Sequence, residues 1–310
     1  MKIHSICVVK NEADIIDQTL KAAAVWSDFI YVLDNGSTDG TWEKVLSLAQ
    51  KHPQIIPYKQ LDCVYYEGLR SEIFHALQSN NTEGDWWCIL DADEIYIDNP
   101  RIFLAKIPQA YQSVWTAIFH YYFTDKDLEQ YEQNPGLYAD EVSIEQKCRY
   151  YRNDWSEARF FRYDKNLVWE KHQKWPYTGA VYPVRIWLKH FQYRSPQQIQ
   201  KRLNVRSKVR EKDAGLFLHE VKSAWQSKFD SSSQLATNVI SAPQQEDSPW
   251  KERIVNSSQL NYDAQDGRYI VREESMPQIP LIHPILFNRM RVFKKYINKS
   301  TLQKFLLFRK

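Results

Sequence analysis

The first hundred residues switch repeatedly between two hydrophobic periods, and that alternation limits the fold more than any other feature of the chain. IHSICVV (residues 3–9) is a short unbroken apolar run, as expected of a strand buried on both faces. Ala13, Ile16, Leu20 and Ala23 then recur at helical spacing, and DFIYVLD (28–34) is the next strand. Trp42, Val45, Leu46 and Ala49 give a second helix, and QIIPYK a third strand. Leu69, Ile73, Ala76 and Leu77 form a third helical stripe, ahead of the strand WWCIL (86–90). Strand–helix alternation of this kind predicts an α/β fold with a mostly parallel sheet covered by helices on both faces.

Further on, SVWTAIFHYYF (113–123), ARFFRY (158–163) and VRIWLKHF (184–191) read as strands, and 124–148 as an irregular inserted loop. RSPQQIQ opens a helix: Ser195 and Gln198 form a capping box, with Pro196 at the first helical position. Past residue 213, SSSQ, SAPQQEDSP and NSSQ mark loops. The expected organisation is a domain over 1–212, with halves 1–98 and 99–212, followed by an extension over 213–310.

The stretch LDADE then raises a question of charge. Asp91, Asp93 and Glu94 fall at the end of a buried strand, where ligands of parallel sheets bind. Clustered carboxylates raise one another's pKa and cost desolvation energy unless a cation offsets them. Asp-x-Asp suits a hard divalent ion, which often bridges to phosphates. Three strand ends point the same way: VVKNEADII, DNGSTDGT and LDADE.

With those segments the chain resembles the glycosyltransferase family 2 enzymes, which have the GT-A fold. The resemblance implies a nucleotide-binding half ending in a metal-binding Asp-x-Asp, followed by an acceptor half. It implies that Val9, Asn11, Glu12 and Asp34 hold the nucleoside, and that Arg70 faces the donor diphosphate. Asp91 would hold ribose or metal, and Asp93 the metal, Mn²⁺ or Mg²⁺. His190, in WLKHFQYRS, is the expected third ligand, with His172 as its competitor. Similar enzymes of lipopolysaccharide-core synthesis carry Tyr where this chain has Phe191.

An inverting transferase also needs a base for the acceptor hydroxyl. Asp154 and Glu157, in RNDWSEARFFR, are the candidates; the relatives' His-Glu pair is His172-Gln173 here. EQKCRY nearly matches the Gln-x-x-Arg-Trp signature of processive synthases but ends in Tyr150, so a non-processive enzyme is expected. The implied donor is a nucleotide-diphosphate sugar, with a UDP-sugar favoured, and the implied acceptor a glycan or a lipid-linked one. The alternative is an inactive GT-A module that binds nucleotide or glycan. A phosphatase of the haloacid dehalogenase type fits poorly, because Asp-x-Asp follows three strand–helix units. Nucleotidyl transfer would need a glycine-rich loop that VVKNEAD lacks.

Composition adds three constraints. Aromatic residues make 14% of the chain, 11 of them Trp, and such rings stack on sugar faces as well as filling cores. Trp155, Trp169, Trp175, Tyr177, Tyr182 and Trp187 crowd the expected acceptor half. Net charge is only +3, too small to indicate nucleic acid. Basic residues gather on the helix after Pro196 (Lys201, Arg202, Arg206, Lys208, Arg210, Lys212) and in the acid-free tail LFNRMRVFKKYINKSTLQKFLLFRK. That pattern suits a peripheral contact with anionic lipid. The 4 cysteines form no CxxC pair, which argues against a thiolate metal site. With no leader or spanning run apparent, the expected location is the cytoplasm, at most the inner face of the plasma membrane.

Overall fold

The structure is a computed structural model and describes residues 1–171, 173–212, 229 and 249–280. Strands β1 (Ile3–Val9), β2 (Phe29–Asp34), β3 (Ile55–Gln60) and β4 (Trp86–Ile89) pair in parallel, in the order β3-β2-β1-β4. Helices α1 (Ile16–Ala24), α2 (Thr41–Ala49) and α3 (Gly68–Leu77) connect them. Because a strand alternates its side chains, β1 feeds two cores. Ile3, Cys7 and Val9 pack with Ile16, Leu20, Val45 and Leu48 of α1 and α2. Ile6 packs with Leu69, Ile73 and Phe74 of α3 and with Trp87 and Ile89 of β4. Each large apolar side chain buried in this way contributes about 1.5–3 kcal/mol. Phe74 faces the core where the expected stripe had Ala76, which faces solvent.

The parallel pairing expected from the alternation thus occupies the first half. Beyond β4 the sheet is mixed. β8 (Ala158–Arg162) lies antiparallel between β4 and β6 (Ser113–Tyr122). β7 (Tyr150–Trp155) and β10 (Asn261–Tyr262) extend that edge. β9 (Ile186–His190) pairs with β6 in parallel and with the short β5 (Glu94–Tyr96) antiparallel.

Residues 124–148 are not an irregular loop. They hold α5 (Asp125–Gln133), a 3-10 turn and α6 (Ile144–Lys147), with α4 (Pro100–Ala105) earlier in the chain. Thr124 caps α5: its side chain accepts from the Asp127 N–H, and Asp127 accepts from the Thr124 N–H at 2.8 Å. Asp stands where a capping box ordinarily has Glu or Gln, and α5 buries little apolar surface, so neither usual signal marks it.

Residues 249–280 lie against the same sheet. Asp263 accepts from Tyr121 at 2.5 Å and from Lys189 at 3.0 Å. The Ile270 N–H donates to the Tyr151 hydroxyl at 2.9 Å, and the Arg272 N–H to Asn153 Oδ1 at 3.2 Å. The basic tail beyond residue 280 and residues 213–228 and 230–248, which include SSSQ and most of SAPQQEDSP, lie outside the described residues. Among the described residues no helix is long and apolar enough to cross a membrane.

Candidate active site

The carboxyl ends of β1, β2, β4 and β9 open on one cavity of about 1180 Å³. Its floor carries Val9, Asn11, Glu12, Asn35, Asp91 and Asp93, and its far wall carries Asp154, Trp155 and Glu157. The two halves of the chain therefore meet at a single site.

β1 ends at Val9, and the chain turns sharply through Asn11 at φ 57°, a left-handed conformation that Asn tolerates better than most residues. The Asn11 N–H donates to Ser37 Oγ at 2.8 Å, and its Oδ1 accepts from the Thr38 N–H at 2.8 Å. These bonds lace the first and second strand ends together. Asp34 does not line the cavity. It is fully buried, with Oδ1 accepting from the Ser37 N–H at 2.8 Å and Oδ2 without a partner, while its neighbour Asn35 reaches the cavity.

Register explains the cation beside LDADE. β8 runs antiparallel to β4 with Cys88 opposite Phe160, which sets Arg159 beside the end of β4. Arg159 is only 2% exposed, and its Nη2 lies 2.8 Å from Asp91 Oδ2, 2.5 Å from Glu94 Oε1 and 2.8 Å from Glu157 Oε1. Arg70, on α3, takes the other Asp91 oxygen at 2.5 Å and Glu67 at 2.9 Å. Burial pushes the Asp91 carboxyl up, but Arg159 and Arg70 overcome it and hold the group well below the usual carboxylate range. One guanidinium shared by three carboxylates cannot offset them all. Glu94, 1% exposed, is pushed up by burial to about 7.

Asp93 sits in a second cationic shell. Its Oδ2 lies 3.3 Å from His190 Nε2, 3.6 Å from Arg202 Nη1 and 3.8 Å from Arg194 Nη1. The β5–β9 ladder places Glu94 opposite His190 and so brings this pair together. Burial opposes charge on both groups, yet each secures the other. The Asp93 carboxyl is held far down, and the His190 imidazole is raised above its ordinary value. Arg194 also binds Glu12 and Asp14, tying the loop after β1 to the same place. Glu12 is pushed up by burial to about 7.

The candidate bases differ in surroundings. Glu157 is buried and held by Arg159 and by Lys174 at 3.0 Å; burial raises its pKa, but the two cations bring it below its ordinary value. Asp154 pairs with Arg152 at 3.3 Å, and its side chain is 36% exposed in the cavity wall. Of the aromatic residues singled out above, Trp155 lines the cavity and Trp169 belongs to the core. His172 lies outside the described residues.

Sequence reading missed His120 and the cavity-facing side of α7 (Pro196–Lys212), where Lys201, Arg202 and Arg206 line the site. Arg159 or Arg162 was open to it only as an ion-pair partner of Asp154 or Glu157; Arg159 does pair with Glu157, and the β4–β8 register brings it to Asp91 and Glu94 as well. The helical spacing of Arg202 and Arg206 was the available signal for α7.

Oxygen and imidazole donors in this cavity suit a hard divalent ion. Asp93 and His190 converge, whereas both Asp91 oxygens are engaged by arginines. Among the described residues no group of three His, Cys, Asp or Glu side chains is arranged to hold a metal. Two protein donors still match an ion that takes its other ligands from substrate phosphates and water.

The glycosyl transferase family 2 model matches residues 5–175. Solved structures give weaker likenesses. A mannosyltransferase, PcManGT from Pyrobaculum calidifontis in complex with GDP-Man and Mn²⁺, is 19% identical over 42% of this chain and 37% of that chain, TM-score 0.30. S. aureus TarS 1–349 is 14% identical over 66% and 64%, TM-score 0.34. Glucosyl-3-phosphoglycerate synthase from Mycobacterium tuberculosis is 18% identical over 52% and 56%, TM-score 0.26. In each case the matched part is less than two thirds of the other chain. A search of curated proteins returns no match. The family match spans more than half of the chain, and with the α/β sheet and its strand-end site it makes this protein a member of glycosyl transferase family 2.

Proposed function

We propose that this chain transfers one sugar from a nucleotide-diphosphate donor to a hydroxyl of a glycan or lipid-linked acceptor, inverting the anomeric centre and using Mn²⁺ or Mg²⁺. The observation that carries this reading is the single cavity in which Asp93 and His190 converge at 3.3 Å while Arg70, Arg159 and Arg202 surround the same strand end. A solvated acidic loop would not be packed against buried arginines.

Val9, Asn11, Glu12 and Asn35 form the nucleoside end of the cavity, and Asp34 braces it from beneath. Arg70 and Arg202 face the diphosphate. Asp93 and His190 would hold the divalent ion, whose chemistry is to offset charge on the leaving diphosphate, worth several kcal/mol. Asp91 acts through its arginines, fixing Arg70 and Arg159, and is not counted among the metal ligands. The acceptor oxygen attacks the anomeric carbon, and the bond to the diphosphate oxygen breaks with its electron pair. Asp154 takes the hydroxyl proton, an effect of roughly 10²–10⁴-fold. Asp154 is preferred to Glu157 because it is open to the cavity, whereas Glu157 is locked between two cations. Trp155 offers a ring face for the acceptor sugar. The basic tail beyond residue 280 would suit an acceptor held at an anionic membrane surface.

Thermal unfolding with UDP, GDP and CMP, and with their sugar conjugates, each with and without Mn²⁺, tests the donor site. A ligand at 100 times its Kd adds about 2.7 kcal/mol to stability. The expected result is a metal-dependent rise for one nucleotide that is lost in Asp93→Ala. A folded protein that responds to none of them would refute the reading.

A further inference from the structure

His120 stands on β6, level with His190 in the parallel β6–β9 register, and both rings line the cavity. Their Nδ1 atoms are 3.1 Å apart, with ring centroids 5.0 Å apart. Gln192 Nε2 lies 3.4 Å from the same His120 nitrogen. An amide NH₂ can only donate, so Gln192 favours His120 Nδ1 as an acceptor. Two ring nitrogens at hydrogen-bond distance share one proton, and that proton then belongs to His190 Nδ1. In neutral His190 the remaining lone pair is on Nε2, the atom facing Asp93 Oδ2 at 3.3 Å. A nitrogen lone pair and a carboxylate oxygen repel one another, and together they make two arms of a cation site.

We propose that His120 is a positioning residue that fixes the tautomer and ring orientation of His190, presenting Nε2 to the divalent ion. The inference rests on the metal reading given above for Asp93 and His190. A metal-binding histidine ordinarily donates its other ring N–H to a carboxylate, carbonyl or water, and loss of such a partner weakens metal binding about 10–100-fold. Here the partner is a second imidazole, itself oriented by Gln192.

Mn²⁺ alone is titrated into the purified full-length protein, and free Mn²⁺ is read from its electron paramagnetic resonance signal. Wild type is compared with His120→Leu, His120→Asn and His190→Ala. Leu removes the acceptor, whereas the Asn side-chain oxygen sits near the place of Nδ1 and can accept the same proton. The expected result is an affinity loss of about 10–100-fold for His120→Leu, recovery to within a few-fold in His120→Asn, and a loss at least as large in His190→Ala. Wild-type affinity in His120→Leu, or equal weakening in the Leu and Asn variants, overturns the inference. Wild-type affinity in His190→Ala overturns the metal reading itself. Each variant is first unfolded without Mn²⁺. If His120→Leu shows no cooperative transition, recovery in His120→Asn against loss in His190→Ala still decides the matter.

Discussion

Replacing Arg159 by Met removes the one guanidinium nitrogen that Asp91, Glu94 and Glu157 share, while keeping most of the side-chain volume. In the wild type, Asp91 and Glu157 titrate below their ordinary values, so they add stability above the unfolded carboxylate range near pH 4 and lose it as pH falls through their folded values. Without Arg159, Asp91 keeps only Arg70 and Glu157 only Lys174, so their folded pKa values move up toward the unfolded ones. Glu94, already near 7, loses its ion-pair partner and rises further. A carboxyl raised in this way is harmless at low pH and costs stability as pH climbs through its folded value. The penalty of the substitution must therefore grow with pH. Breaking one partner of a buried pair costs about 3–5 kcal/mol, and each unit of pKa shift is worth 1.36 kcal/mol. The expected loss is about 3–5 kcal/mol at pH 8 and under about 2 kcal/mol at pH 5, once the carboxyls take up protons. With an m-value of about 3 kcal/mol/M, the urea midpoint drops by roughly 1–1.7 M at pH 8. The assay is urea unfolding of both proteins at the two pH values. An equal shift at both, or a larger one at pH 5, would refute the reasoning.

Two other substitutions probe separate parts of the structure. A Cβ added at Gly68, the first residue of α3, would lie 1.7 Å from the Lys171 carbonyl oxygen, so Gly68→Ala must push that backbone away. A loss of about 1–3 kcal/mol or more is expected in chemical unfolding, and an unchanged midpoint would mean the two segments are not in contact. Arg202→Gln removes a cation 3.6 Å from Asp93; charged hydrogen bonds are worth about 1.5–3 kcal/mol. It should weaken the nucleoside diphosphate about tenfold or more in calorimetric titration and leave the monophosphate nearly unchanged. Equal weakening of both would place Arg202 away from the terminal phosphate.

The parallel half was legible because burial on both faces leaves an unbroken apolar run, and the covering helices leave a stripe at a second period. Cys7 and Cys88, inside two of those apolar runs, are fully buried. β7 escaped because YYRNDW alternates around Asn153, a buried residue whose side chain donates to the Ile118 carbonyl at 3.0 Å instead of packing as an apolar one. Three residues of β5 are too few to show a period. At the site, sequence spacing brought LDADE and the ends of β1 and β2 to one edge. What it could not supply was the identity of the opposing cations. Arg159, Arg194 and Arg202 lie between about 65 and 110 positions away and meet the carboxylates only through strand register and the placement of α7. The same distance hid His120, which reads in SVWTAIFHYYF as one polar residue in a buried strand. The basic face of α7, read as suited to a lipid surface, instead turns Lys201, Arg202 and Arg206 toward the cavity.

The stretch bearing Arg272 and Ser275 closes one side of the cavity, pinned along β7 by bonds to Tyr151 and Asn153. More than a hundred residues separate it from the carboxylates, and 82 positions separate Arg272 from His190, the last ligand proposed for the ion. Its hydrogen bonds to β7 run through its own backbone N–H groups, so the cavity-lining side chains of Arg272 and Ser275 are free to change in composition without disturbing those bonds. Descendants of this gene could thus acquire new wall chemistry through mutations confined to a short late segment, leaving the machinery of the strand ends untouched. One wall of the cavity and the strand-end groups are inherited on different stretches of the chain.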